Sequence, residues 1–174
     1  MVNVSSTVDV ADLDLGGGYR IRGSDLRGEV TDLAAFRAAA GDDPAAEVII
    51  ALSEERFDDA LQELDELHTK DPDSVRYQAL RADVLRDQGQ LDAAEAIYTD
   101  LLARAGDDPV RSAVIRQHRA KVWFHQGRLR DAEAEFAEVL ALRQAAGVDE
   151  GQLASTRQSL QRLGIAVAMQ DAAE

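Results

Sequence analysis

The stretch DSVRYQALRADVLRDQGQLDAAEAIYTDLLARAGDDP, residues 73–109, decides the fold. It reads as two helices joined by a turn at Gly89, because apolar and small residues recur at helical spacing on both sides of that glycine. Its second half opens with GlnLeuAspAlaAla at 90–94. ArgPheAspAspAla at 56–60 and ArgLeuArgAspAla at 128–132 hold equivalent places before and after it. The leading apolar residues are Phe57, Leu91 and Leu129, and the alanines are Ala60, Ala94 and Ala132. Four residues after each alanine stands a large residue: Leu64, Tyr98 or Phe136. Ala82 and Ala120 likewise precede Leu85 and Trp123 by three, and Gly89 and Gly127 follow four residues later, where a helix must stop and turn.

A repeated helix pair has a physical logic. Alanine is required where two helices cross closely, and the large residue a turn away fills the neighbouring space. One such pair cannot bury its apolar stripe alone, so pairs stack. The spacing here is 34 and then 38 residues. This pattern resembles the tetratricopeptide repeat family, in three degenerate repeats over about residues 43–146. Pro72 stands where that family ends its second helix. The chain departs from the family where Gln78, Arg81, Arg116 and Arg119 occupy its usual Trp and Leu positions. The core places are taken instead by Tyr77, Leu80, Val84, Ile115 and Val122. Pro109 arrives three residues late, and Glu55 stands where the other repeats have their turn glycine. The fold class is all-α: a tetratricopeptide-like antiparallel helix-pair solenoid with a C-terminal capping helix and an irregular or hairpin N-terminal arm.

The flanks divide as an arm over 1–28, a helical domain over 29–170 and a frayed tail over 171–174. The arm holds Gly16–Gly18 and shows no helical period. One reading is disorder. The other folds Val10–Leu15 against Tyr19–Arg22 as a hairpin, pairing Leu15 with Tyr19, Leu13 with Ile21, Asp14 with Arg20 and Asp12 with Arg22. A lone hairpin is marginal, so its apolar face must lie on the helical body, a second subunit or a partner. A helix is expected over 29–40, a helix start with Asp43 as cap and Pro44 at its first position, and a last helix over about 149–169. Gly164 stands within that last helix as a possible break. Its Gln152, Arg157, Gln158, Gln161 and Arg162 suit the polar outer face of a terminal cap.

Composition narrows the function. Hydrophobic residues are 45%, charged residues 30% and aromatics 5%, which suits a folded helical protein. A net charge of −14 argues against nucleic acid as a partner. There is no cysteine, so disulfides and thiolate chemistry are excluded. No run approaches the roughly 18 apolar residues of a membrane span, and the first 14 residues lack a signal-peptide pattern, so the expected location is cytoplasmic. His118 and His125 lie seven apart on one helix, roughly 10 Å along its axis, too far to share a metal. His118 takes the place of Leu80 in the preceding repeat and reads as a packed, hydrogen-bonded side chain. No catalytic constellation, metal or cofactor is expected, and the chain reads as non-enzymatic.

Charge placement is the exception. Pro109–Arg130 contains no acid but carries Arg111, Arg116, Arg119, Lys121, Arg128 and Arg130. Two readings stand: a solvated face paired with Asp83, Asp87 and Glu95 on neighbouring helices, or a site for an acidic peptide. The resemblance implies that each repeat's first helix lines a concave groove. Its usual groove positions fall on Ala45, Ile49 and Leu52, on Arg76, Ala79, Asp83 and Arg86, and on Gln117, Lys121, Phe124 and His125. The candidate partner-binding residues are Arg76, Asp83, Arg86, Gln117, Lys121, Phe124 and His125. The family's Lys/Asn carboxylate clamp is missing, since the one asparagine is Asn3. The expected function is a protein–protein interaction adaptor that takes a protein or peptide segment of acidic character. The alternatives are a homo-oligomeric assembly module and a regulatory module gated by its own N-terminal arm.

Overall fold

A computed structural model describes residues 10–173 of the chain. The readings of residues 1–9, as arm or as signal-free N-terminus, and of Glu174 in the tail lie outside the described residues. Three short strands come first: β1 (Leu13–Asp14), β2 (Tyr19–Ile21) and β3 (Gly28–Val30). Eight helices follow: α1 (Leu33–Ala40), α2 (Ala46–Ser53), α3 (Phe57–Lys70), α4 (Val75–Asp87), α5 (Leu91–Arg104), α6 (Pro109–His125), α7 (Leu129–Ala146) and α8 (Glu150–Asp171). Each helix from α2 onward packs on the next. The fold is an all-α stack of antiparallel helix pairs, with a small antiparallel sheet at the N-terminus.

The repeat alanines set the stacking. Ala60, Ala82, Ala94, Ala120 and Ala132 are all 0% exposed. Leu64, Tyr98 and Phe136, each one turn further on, are fully buried beside them. Val84, Ile115 and Val122 fill the core places left by the missing Trp and Leu, while Tyr77 and Leu80 pack on from the edge. Local chemistry starts each pair. Ser74 caps α4 at the Tyr77 amide, and Asp108 caps α6 at the Val110 and Arg111 amides with Pro109 in the first turn.

The three turns inside the pairs share one geometry. Gly89 and Gly127 have φ of 81° and 76°, and the amide after each donates back to a helix carbonyl: Gln90 to Leu85 at 2.8 Å and Arg128 to Trp123 at 2.9 Å. Glu55 adopts the same conformation at φ 57°, with Arg56 donating to Ala51 at 2.8 Å. A side chain in this left-handed region is strained by roughly 1–2 kcal/mol. Glycine relieves that strain but costs about 0.5–1 kcal/mol of chain entropy, and the 3.9 Å Glu55–Arg27 pair is long and exposed. Glu55→Gly is therefore expected to stabilise the protein by about 0.5–1 kcal/mol, read as a rise in the urea midpoint; a fall would contradict the strain.

Several details differ from expectation. Helix α1 begins at Leu33 rather than 29, because Gly28–Val30 pairs with β2 as a third strand and Asp32 caps the helix at the Ala35 amide. Helix α2 begins at Ala46, because Asp43 bonds the Ala45 amide in a turn before it and leaves Pro44 outside. Helix α8 runs through Gly164 without a break. Its polar face is not all outward. Gln158 is buried and donates to the carbonyls of Ala11 (2.9 Å) and Ile21 (3.1 Å), and Arg162 donates to that of Ser24 (2.8 Å).

The hairpin register matches the sequence pairing: Leu13 faces Ile21 and Asp14 faces Arg20. Its charges pair differently. Arg20 bonds Glu29 of β3 and reaches Asp12 diagonally at 3.0 Å, while Arg22 turns to Asp25 at 2.6 Å.

Candidate functional site

Helices α2, α4, α6 and α8 form one face, and the sheet lies across one end of it. Val30 donates its amide to Ser53 Oγ at the end of α2 (2.7 Å), and Arg27 reaches the Asp87 carboxylate at the end of α4 (3.4 Å). Leu26 drives inward. It is fully buried against Ala120 of α6, Phe136 of α7 and Leu163 of α8, and it holds φ 63° to do so. A non-glycine residue at positive φ persists only where its surroundings over-determine it. Burying a leucine is worth about 1.5–3 kcal/mol, which outweighs that strain.

The seven residues singled out from the sequence fall into three settings. Asp83, Arg86, Gln117 and Lys121 are buried. Phe124 and His125 are half-buried under the sheet's loop, with Arg162 stacked over the Phe124 ring at 5.5 Å. Arg76 alone is exposed, ion-paired with Asp43. What covers this end of the face is therefore the chain's own N-terminal segment. Tyr19 belongs to the hairpin face that the sequence laid on the helical body, whereas Leu26 escaped notice in the sequence; the only signal at 26 was a lone leucine among Gly, Ser, Asp and Arg.

Asp83 is the hub of a buried polar cluster. Its Oδ1 accepts from Arg86 Nη1 (2.6 Å) and Tyr98 OH (2.8 Å) and sits 3.1 Å from His118 Nδ1. Arg86 also donates Nε to Asp87 at 2.8 Å. Burial alone would raise the Asp83 carboxyl, but His118 and Arg86 reverse the effect and hold it well below the usual carboxylate range. Burial pushes the Tyr98 phenol well up, and the Asp83 charge adds to it. It pushes the Tyr19 phenol up to about 12. Burial and the Arg86 charge lower Lys121 to about 8 and His125 to about 4. These groups hold one another in fixed charge states, which suits structural support.

The acid-free run is largely neutralised. Arg116 and Arg119 both bind Glu135 of α7, Arg128 binds Glu95 and Asp131, Arg130 binds Glu133 and Asp171, and Arg111 sits 3.7 Å from Asp108. Lys121 is the exception, with no hydrogen bond or ion pair among the described residues. Also among the described residues, no group of three His, Asp or Glu side chains is placed to hold a metal ion. No helix there is long and apolar enough to cross a membrane.

The other end of the same face is open. A cavity of about 380 Å³ lies between α4 and α6 with Tyr98 of α5 behind it. Val75, Ala79, Leu80, Val114 and Ile115 make it apolar, and Arg76 and Arg111 stand at its rim. Val110 and Val114 are 43% and 40% exposed beside it. Solvated valines on an otherwise well-packed helix mark a surface with unmet apolar contact.

The sequence profile of the tetratricopeptide repeat family matches residues 51–117, from the middle of α2 to the middle of α6. No curated protein and no solved structure shows a significant match to the chain. The matched segment contains the Ala60, Ala82 and Ala94 crossings and every residue lining the open cavity except His118, and the family's repeats generally mediate contact between proteins. The likeness to the tetratricopeptide repeat family thus spans residues 51–117, 67 of the 174 residues.

Proposed function

We propose that the protein is a non-enzymatic adaptor that takes a segment of a partner protein in the open cleft between α4 and α6. The apolar cavity of about 380 Å³ flanked by Arg76 and Arg111 carries this reading. It fits a segment that places one apolar side chain among Ala79, Leu80 and Val114 and acidic side chains against the two rim arginines. Asp43 and Asp108 neutralise those arginines in the free protein, through exposed contacts that an incoming carboxylate can replace at little cost. The test is affinity capture from native lysate with the wild-type chain and with Val114→Asp. Both side chains at 114 are solvent-tolerant, so circular dichroism is expected to stay unchanged while the captured partner is lost. Equal capture by the two proteins would sink the assignment. Light scattering on the free chain separates a foreign partner from a second copy.

The arm-gated alternative is favoured by one observation: Gln117 and Lys121, two positions where the resemblance puts the groove, line one cavity with Leu15, Tyr19 and Ile21 of the chain's own N-terminal segment. In this reading the sheet is a displaceable cover. Leu26→Asp removes its main apolar anchor, and hydrogen exchange over residues 13–30 is expected to accelerate at least tenfold with the helices still protected. If the same variant captures nothing beyond what the wild type captures, the sheet is a permanent part of the fold.

A further inference from the structure

Among the described residues, two buried cations have no carboxylate within ion-pair distance. Lys121 is 6% exposed, and its ammonium makes no hydrogen bond or ion pair to a described residue. Arg143 is 5% exposed; its Nη1 donates to the Gln152 carbonyl and to Thr156 Oγ1, both at 2.7 Å, and its Nε is buried with no partner. The other buried arginine, Arg86, is held by Asp83 and Asp87. Isolated buried charge is strongly disfavoured, so two cations with no carboxylate partner among the described residues, both lining one cavity, call for an anion.

Both cations line one cavity of about 420 Å³, with the N-terminal hairpin on one side and α6, α7 and the start of α8 on the other. The sheet contributes Leu15, Tyr19 and Ile21, an apolar wall. Gln117, His118 and Ser155 line it as well. Asp149 is the one acid at the cavity, and its two oxygens are engaged at the start of α8 by the Gln152 amide (3.0 Å) and Gln152 Nε2 (2.6 Å). The volume falls within the range of small-ligand sites, and a wall of apolar groups facing a few convergent polar ones is their usual composition.

We propose that this cavity binds a small organic acid, with its carboxylate against Lys121 and Arg143 and its apolar body against Leu15, Tyr19 and Ile21. A carboxylate there supplies the counter-charge that both cations lack and accepts charge-assisted hydrogen bonds from them. It also ties the sheet to the repeats, because the walls come from both. A ligand that binds only while the sheet is seated favours the seated state. The site shares His118 with the open cleft between α4 and α6, but Lys121 and Leu15 line only this site and Val114 only the cleft, so variants at those residues test the two independently.

The experiment is calorimetric titration of the full chain at pH 7 and low salt with acetate, hexanoate and benzoate. Inorganic phosphate and benzyl alcohol serve as probes of the charge alone and the body alone. Saturable one-to-one binding is expected for hexanoate or benzoate, at least tenfold tighter than for phosphate or benzyl alcohol. Bound acid is expected to slow hydrogen exchange across residues 13–30. Lys121→Met is expected to weaken the acid at least tenfold. Leu15→Asp, at a solvent-exposed position on the cavity wall, is expected to do the same with an unchanged melting temperature. The proposal is overturned if none of the three acids saturates, if phosphate binds as tightly as the best acid, or if folded Lys121→Met binds as the wild type does.

Discussion

Replacing Asp83 with alanine is expected to lower the stability of the protein by about 3–5 kcal/mol, the usual cost of breaking one side of a buried ion pair. The Asp83 Oδ1 oxygen serves three donors at once, Arg86, Tyr98 and His118. Alanine leaves the Tyr98 hydroxyl with only the Ala79 carbonyl at 3.0 Å and leaves Arg86 with Asp87 alone. Asp87 is itself shared with Arg27, so it cannot fully substitute, though it holds the loss toward the lower end of the range. The sign of the pH dependence follows from the depressed carboxyl. Its folded value lies below the ordinary 3.8, so the contribution is complete above that pH and is lost as pH falls below it. The gap between wild type and variant should therefore be constant from neutrality down to about pH 4 and then narrow. Urea denaturation at pH 7 and at pH 3 checks both statements. A loss under about 1 kcal/mol at pH 7 would mean that the cluster is solvated in solution. Adding Arg86→Met to Asp83→Ala is expected to recover part of the loss, because the charge that Asp83 compensated is then gone as well.

How much of this was legible in the sequence depended on distance along the chain. The alanine crossings, the turn glycines and the apolar replacements at Val84, Ile115 and Val122 are local patterns, and each sits where its spacing put it. The hairpin register was equally local: alternation on either side of Gly16–Gly18 is enough to set Leu13 against Ile21. The third strand was not. Gly28-Glu29-Val30 is too short to show a period, and Val30 joins the apolar stripe of the next helix by chance of spacing. Its strand character comes from β2, which supplies Arg20 to Glu29. The same limit applies to the site. Asp83, Arg86 and Lys121 fall where the resemblance implies groove positions, but a covering segment 50 or more residues upstream leaves no mark beside them. The acid-free run shows the converse. Its solvated-face reading depended on acids in neighbouring helices, and the chief partner of Arg116 and Arg119 proved to be Glu135, on the helix after the run. Lys121 stood in that run as one cation among six, and only the packing separates it from the others.

Lys121→Met is expected to raise stability by roughly 2–3 kcal/mol at pH 7 in the absence of ligand. Methionine keeps the length and flexibility of the lysine stem and removes the charge. The groups around the ammonium do not balance it. Asp83 and Asp87 of α4 favour the charged form, but Arg86 between them and Arg143 of α7 oppose it, and burial is the largest opposing effect. The result is an ammonium at about 8 in the folded protein against an ordinary 10.5, a difference equivalent to roughly 3 kcal/mol. Between those two values the unfolded chain binds more protons than the folded one, so wild-type stability rises with pH across that window. The penalty is fully present below pH 8 and gone above about 10.5. The variant has no such group, so its advantage should be greatest at pH 7 and small at pH 10. Other groups that titrate there, Tyr98 among them, are common to both proteins and drop out of the comparison. Urea midpoints of the two proteins at pH 7 and pH 10 check the sign. A destabilised variant, or an advantage that does not change with pH, would show that a counter-ion already neutralises Lys121. Saturating organic acid should erase the advantage at pH 7 from the other direction, because the wild type then gains a partner for its cation and the variant gains none.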